Sequence, residues 1–413
     1  MNQKWTIVSL FDGMACGALA LQAAGIEIES YDAFEIDKYA IQTAQHNFPF
    51  IKHHGDVFKA DFTEFKGVDL VCGGSPCTYW SIAQKNNRET VASGMGWELF
   101  QQYVRAIKEA EPKYFIYENN KSMSKAIRDS IDKAFGFEAV LINSALVSAQ
   151  NRQRLYWVGK RNADGTYSKV NVEQPEDRGI LLKDILEGGE AWREKSYCID
   201  ANYFKGGNLT NMQKQSGSRF MAAEPVCVAE RGRYEDGKVV QHFEAREDGK
   251  TNVLTTVQKD NNVAEPIRVG CMPSPSGEMR NSQAFRVYST EGKSVNLLGQ
   301  GGGAGAKTGL YAIPVEFDGE IPTKAVSVAD GKTYTVYEVK DGKITIKGKQ
   351  YPIKLADGFY IIRKLTVREC MRLQTVPEWY EFPVSDSQAY KMLGNGWTVD
   401  VIAHLLTSIK AVM

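Results

Sequence analysis

The sequence predicts an α/β protein: a doubly wound, mostly parallel sheet, with a second, mostly β region set in before the C-terminal end. Three observations predict it. Short apolar runs alternate with helical patterns through the first 160 residues. The apolar runs end in turns carrying Gly, Pro, Asp, Cys or Glu, where such folds place their ligands. From about residue 191 to 358 the chain turns to Gly-, Asn-, Lys- and Thr-rich segments with short alternating runs.

Taken in order, residues 6–11 form a strand ending in Asp12-Gly13, and 14–24 a small-residue helix. Residues 30–35 form a second strand and 37–47 a helix; 68–72 is a buried-type strand ending in Gly73-Gly74. An amphipathic helix over 98–110 leads to the strand 114–117, a helix over 122–135, and strands over 138–145 and 155–159. In the β region, strands are expected at 334–339 and 344–347, and Asp236-Gly237, Asp248-Gly249, Asp330-Gly331 and Asp341-Gly342 are hairpin turns. Three segments there share a Lys-Ser/Thr-x-x-Ile/Leu pattern beginning at Lys195, Lys250 and Lys293, and 299–305 is a Gly-rich loop. Helical character returns with Thr366 as N-cap of 367–374, Glu369 in the capping-box position, and a long apolar helix over 398–412. The expected domains are 1–190, a mostly β 191–385, and 386–413 returning to the first domain.

Composition narrows the function. The chain has 413 residues, 43% hydrophobic and 24% charged, the balance of an ordinary globular protein of two or three domains. Fifty Lys and Arg against fifty Asp and Glu exclude a supercharged nucleic-acid coat while allowing a local basic groove. The first 150 residues carry 14 basic and 18 acidic groups, so a polyanion would meet the later part. Seven scattered cysteines without Cys-x-x-Cys spacing point to free thiols in a reducing compartment, with no zinc site. With no signal-peptide pattern and no window of 18 apolar residues, a cytoplasmic protein is expected, and no membrane.

The chemistry gathers at the strand ends. Cys77, in Gly73-Gly74-Ser75-Pro76-Cys77, is presented beyond a strand, and Glu118-Asn119 follow the neighbouring one. A thiol and a carboxyl at adjacent strand ends form a nucleophile and an acid able to act on one molecule. Phe11-Asp12-Gly13-Met14-Ala15-Cys16 lets a ligand approach the backbone closely, but lacks the Gly-x-Gly-x-x-Gly of a pyrophosphate cradle. Glu35, 22 residues after Gly13, is placed for ribose hydroxyls, and Asp56 for an adenine amino group. A nucleoside site without a diphosphate grip favours S-adenosyl-L-methionine over a dinucleotide.

The ordered set resembles the DNA (cytosine-5)-methyltransferase family. Phe11-Asp12-Gly13 is similar to its first cofactor motif, Pro76-Cys77 to its catalytic Pro-Cys, and Glu118-Asn119 to its Glu-Asn-Val. Gln150-Asn151-Arg152-Gln153-Arg154 resembles Gln-x-Arg-x-Arg, 363–374 (RKLTVRECMRLQ) a further block, and Gly394-Asn395-Gly396 the closing Gly-Asn-Ser. The last stretch is most like bacteriophage and prophage members. The resemblance implies a Rossmann-like methyltransferase fold and double-stranded DNA as partner to a monomer, with product S-adenosyl-L-homocysteine. It implies Cys77 as nucleophile at carbon 6 of cytosine and Glu118 at ring N3. Arg154 would hold the carbonyl oxygen, Arg152 would support the site or contact phosphate, and Asn119 would brace the Pro76-Cys77 turn. It places Ile36, Val57, Asn395 and Gly396 with the cofactor, and Ser81, Lys85 and Arg88, on a lid over 78–97, with DNA. A tRNA-methylating relative is the alternative, but its Cys-Phe-Thr tripeptide is missing; an inactive DNA-binding relative is argued against by intact Cys77, Glu118 and Arg154. Three departures stand out: Asn120 for Val, Thr78 for the usual Gln, and Gly396 for Ser.

Overall fold

A computed structural model describes residues 4–80, 88–185, 187, 196–197, 227–235, 238–245, 262–263, 268–271, 286–288, 311–314, 324–326, 331–346, 348–352, 357–363 and 365–413. Its central sheet is the predicted one. Strands β1 (Trp5–Leu10), β2 (Ile28–Phe34), β3 (Lys52–His53), β4 (Leu70–Gly73) and β5 (Tyr114–Asn120) pair in parallel, in the order β3-β2-β1-β4-β5. The edge then reverses: β6 (Val140–Asn143), β8 (Gln153–Arg161) and β9 (Tyr167–Lys169) add antiparallel, with β8 lying against β5. A short β7 (Gln150–Asn151) stands apart and pairs with Ser196–Tyr197.

Strand alternation divides the core between the two faces of the sheet. In β4, Leu70 and Cys72 point one way and Val71 the other; in β5, Ile116 and Phe115 divide likewise. One face packs on α3 (Gly94–Ala110) and α4 (Lys125–Phe135) through Phe100, Tyr103, Ile131 and Phe135. The other packs on α1 (Cys16–Ala23), α2 (Lys38–Asn47) and three C-terminal helices, α5 (Val367–Leu373), α6 (Asp386–Asn395) and α7 (Val399–Lys410). Asp37 caps α2 through Tyr39 N at 2.9 Å, and the Thr366–Glu369 capping box at α5 is formed as its sequence requires.

Several readings need correction. The strand read as 114–117 runs on to Asn120, because β8 pairs with it through Asn120 and supplies partners beyond the parallel part. Gly394 and Asn395 close helix α6, which the turn-like Gly-Asn-Gly concealed. Four residues of the expected lid, 94–97, open α3. Leu365, Cys370, Leu373 and Tyr380 pack in the core against the central sheet, although the expected boundary put them in the second domain.

Between residues 196 and 363 the described strands pair antiparallel with one another, apart from the Ser196–Tyr197 pairing. Two hairpins close where Asp-Gly stands. Glu235 pairs with Lys238, and Lys340 with Lys343 around Asp341 and Gly342, both left-handed as a type I′ turn demands. Asp248-Gly249, 299–305 and the loops of the three Lys segments fall outside the described residues. Among the described residues no helix is long and apolar enough to cross a membrane.

Candidate active site

β4 delivers the chain to Gly74-Ser75-Pro76 and then to a short 3-10 turn, Cys77–Tyr79. The last residues of β5 stand beside it, with alternate side chains on opposite faces. Asn119 lies on the α3 side and is buried, its Nδ2 donating to Ser75 O and Tyr117 Oη, both at 3.2 Å. Ser75 Oγ and Tyr117 Oη are 2.6 Å apart. This buried cluster fixes the backbone two residues before Cys77.

Glu118 and Asn120 take the opposite face. Glu118 Oε1 lies 3.0 Å from Arg154 Nε, and the two side chains are only 12% and 10% exposed. Its other oxygen, Oε2, accepts from Trp397 Nε1 at 3.1 Å. Gly74 permits this closeness: a Cβ there would stand 2.8 Å from Glu118 Oε2 and 2.9 Å from Glu118 O. Asn120 pairs across the sheet with Arg154. Its Oδ1 accepts from Ser122 Oγ at 2.8 Å, while its buried Nδ2 has no partner. The polar residue in the usual Val position is thus only half satisfied.

Arg152 points elsewhere. It is buried, and it donates to Gly396 O at 2.8 Å and Gly394 O at 3.3 Å. These bonds brace the 394–396 turn. Gln374 reinforces the same turn. Its Nε2 donates to Leu393 O at 2.6 Å, and its Oε1 accepts from Thr398 Oγ1 at 2.9 Å and Gln150 Nε2 at 3.1 Å. Neither Gln374 nor Trp397 stood out as a site residue in the sequence. The glutamine lay in a recognised block without a role, and the tryptophan follows the last motif directly.

Of the residues expected at the cofactor, those from Phe11 to Val57 stand at the ends of β1, β2 and β3, and Asn395 and Gly396 at the end of α6. Phe11, Gly13 and Ala15 all have positive φ, at 56°, 59° and 60°. Two non-glycine residues held there store about 1–3 kcal/mol each, a strain that marks functional loops. A Cβ added to Gly13 would meet nothing within 4 Å, so the loop borders open space. Ile36 beside it is 75% exposed. Glu35 is held by main-chain N–H groups, with Oε2 on Gly13 N and Oε1 on Ile36 N and Asp37 N, all at 2.8 Å. Three of about four acceptor positions are filled, which leaves one. Asp56 caps the turn Val57–Lys59 through Phe58 N at 3.0 Å; Val57 is buried and Asn395 exposed. Met14 is buried, its carbonyl accepting from Tyr380 Oη at 2.6 Å.

Asp12 is the unusual member. Its Oδ1 accepts from Ser9 Oγ and Tyr31 Oη, both at 2.6 Å, and its Oδ2 has no partner. Burial pushes its pKa from 3.8 up to about 7 against the pull of those two hydroxyls, and Glu35 adds to the rise. Burial likewise pushes the Cys16 and Cys72 thiols up to about 12, so both are neutral packing groups. Gly396 in place of Ser has a steric reason: a Cβ would lie 3.1 Å from Cys16 Sγ and 3.0 Å from Met392 O.

Of the expected DNA contacts, Ser81 and Lys85 fall outside the described residues. Arg88 is half-buried, donating to Ser122 O at 2.7 Å and Trp80 O at 3.2 Å. It ties the segment after Cys77 to the end of β5.

The family model for C-5 cytosine-specific DNA methylase matches residues 5–411. The orphan methyltransferase M.Rho11sI of Bacillus phage rho11s is 29% identical over 364 residues, 82% of this chain and 68% of that protein. The type II methyltransferase M.HhaI of Haemophilus parahaemolyticus is 23% identical over 412 residues, 97% of this chain and 93% of that one. A solved structure of a Spodoptera frugiperda DNMT2 mutant shares the fold, with a TM-score of 0.51 at 16% identity over 98% of this chain and 100% of that one.

Two outcomes follow from the unsatisfied groups. Replacing Asn120 by Val removes a buried donor without a partner and is expected to raise stability by about 1 kcal/mol, read in a denaturant titration. Between pH 4 and 7 the folded chain keeps the Asp12 proton that the unfolded chain has released, so this group makes stability fall as pH rises through that window. Thermal midpoints should therefore favour Asp12→Asn over wild type increasingly from pH 5 to pH 8; a constant difference would mean Asp12 is ionised throughout.

Proposed function

The chain belongs to the C-5 cytosine-specific DNA methylase family and is a DNA (cytosine-5) methyltransferase; from that premise we propose that it methylates a cytosine flipped out of duplex DNA through a covalent adduct on Cys77. The observation that carries the mechanism is the buried pair of Glu118 and Arg154 beside the turn that leads to Cys77. S-adenosyl-L-methionine, when bound, supplies an electrophilic methyl group and leaves as S-adenosyl-L-homocysteine. The residues that would hold it fit a nucleoside: the strained Phe11–Cys16 loop beside open space, the fixed Glu35 carboxylate for ribose hydroxyls, and the exposed face of Ile36 for a purine ring.

The remaining work belongs to the chain's own groups. Carbon 5 of cytosine is a weak nucleophile. Addition of the Cys77 thiolate to carbon 6 makes a carbon–sulfur bond and shifts the ring electrons to carbon 5, which then takes the methyl group. Negative charge grows on the ring during addition. A proton lent by Glu118 to ring N3 and a donor from Arg154 at the ring carbonyl oxygen stabilise it. Loss of the carbon 5 proton and breaking of the carbon–sulfur bond restore the aromatic ring and the thiolate. A stacked base is out of reach of this chemistry, so the target leaves the duplex and the segment after Cys77 closes on it. Sequence reading falls to the β region after residue 190, and residues 1–190 together with 365–413 form the catalytic part. The enzyme acts as a monomer in the cytoplasm, on phage or host DNA.

Bisulfite sequencing of DNA from cells expressing the chain should show 5-methylcytosine at a defined short site. Cys77→Ala should abolish it while S-adenosyl-L-homocysteine still binds; methylation by that variant would overturn the adduct mechanism. Glu118→Gln should slow single-turnover transfer by about 10²–10⁴-fold, the range for loss of a general acid.

A further inference from the structure

Trp397 lies outside every motif that led to the function, yet it touches two of them. It follows directly on the 394–396 turn, whose Gly396 lies against Cys16 at the start of α1: a Cβ there would stand 3.1 Å from Cys16 Sγ. Its indole Nε1 donates to Glu118 Oε2 at 3.1 Å. The residue before it, Gly396, gives its carbonyl to Arg152 at 2.8 Å and to Gln374 at 3.3 Å. The tryptophan therefore hangs from a rigid turn with its ring edge on the carboxyl.

The surroundings leave little freedom for this arrangement. Gly74 has no side chain, and a Cβ there would lie 3.5 Å from Trp397 Nε1 and 2.8 Å from the Glu118 oxygen it serves. Gly396 likewise has no room for one beside Cys16. An indole N–H is a donor only and does not titrate. Arg154 and Trp397 both donate to Glu118, one to each oxygen, so neither competes for a proton that the carboxyl lends to a base.

We propose that Trp397 is a positioning residue that makes the orientation of Glu118 depend on the 394–396 turn: the indole N–H sets the carboxyl for the base, and the turn, held by Arg152 and Gln374 through Gly396 O, anchors the indole. This rests on the function proposed above. A side chain acting this way serves the chemical step and not cofactor affinity. Its effect exists only while Glu118 has a carboxyl to hold.

The test uses the full chain, tritiated S-adenosyl-L-methionine and genomic DNA lacking cytosine methylation. Trp397→Phe keeps the ring and removes the donor. Single-turnover transfer should slow about 10-fold, as for a lost hydrogen bond to a charged group. The Kd for S-adenosyl-L-homocysteine should stay within about threefold of wild type. In a Glu118→Ala background the same replacement should change the rate less than about twofold, the non-additivity of two residues acting as one. Equal slowing in both backgrounds, a loss explained by weaker cofactor binding, or no slowing would each overturn the inference. Trp397→Leu, which also removes the donor, should reproduce the slowing and serves if Trp397→Phe does not fold. No transfer by the wild type would overturn the function itself; wild-type transfer with an unaltered Trp397→Phe rate overturns only the role of Trp397.

Discussion

A buried ion pair, Glu118 with Arg154, constrains the rest of this molecule. Taking two such charges out of water costs several kcal/mol per ion, and a well-packed apolar pair is often as stable. Stability alone gives no reason for it. The pair exists because β8 lies antiparallel to β5, which brings Arg154 opposite Asn120 and within reach of Glu118. A parallel strand in that place would need a crossover and would present its residues in another register. The reversed edge of the sheet is thus what lets the Gln150–Arg154 motif meet Glu118.

The same sheet edge handles its carboxyls in three ways. Glu118 is fixed by a cation and an indole donor. Glu35 is fixed by three main-chain N–H groups beside the open space above Gly13. Asp12, directly before Glu35's partner Gly13, has only hydroxyl donors, and burial raises its pKa to about 7. Its position under a loop with three left-handed residues means that the loop rests on a group whose charge is suppressed. A second full negative charge beside Glu35 would repel it. The arrangement leaves Glu35 with an acceptor position beside the open space at Gly13.

Much of this was legible in the sequence, for identifiable reasons. Parallel strands buried on both faces read as apolar runs, so β1, β2, β4 and β5 were plain to within a few residues. The capping box at Thr366 and the Asp341-Gly342 hairpin are local chemistry, and they formed where the local rules put them. What was missed depends on distant partners. The extension of β5 needs β8, and helix α6 ends in residues that locally favour a turn. Arg152 reads as a solvated edge-strand residue until Gly394 and Gly396 are placed against it. Trp397 and Gln374 gain their roles only when the C-terminal segment folds onto residues more than 200 positions earlier.

That return of the C-terminal segment explains why the motifs are split across the chain. Helix α7 packs on α1, Thr398 Oγ1 bonds Ser144 Oγ at 2.9 Å, and Gln374 joins Gln150 to Leu393. These groups are buried, and an unmatched one would cost about 1–3 kcal/mol, so the segment has one seating and little tolerance for shift. A loop placed by such a network is rigid, and Trp397 inherits that rigidity. The chain therefore completes a catalytic centre begun near its N-terminus with residues from its last forty.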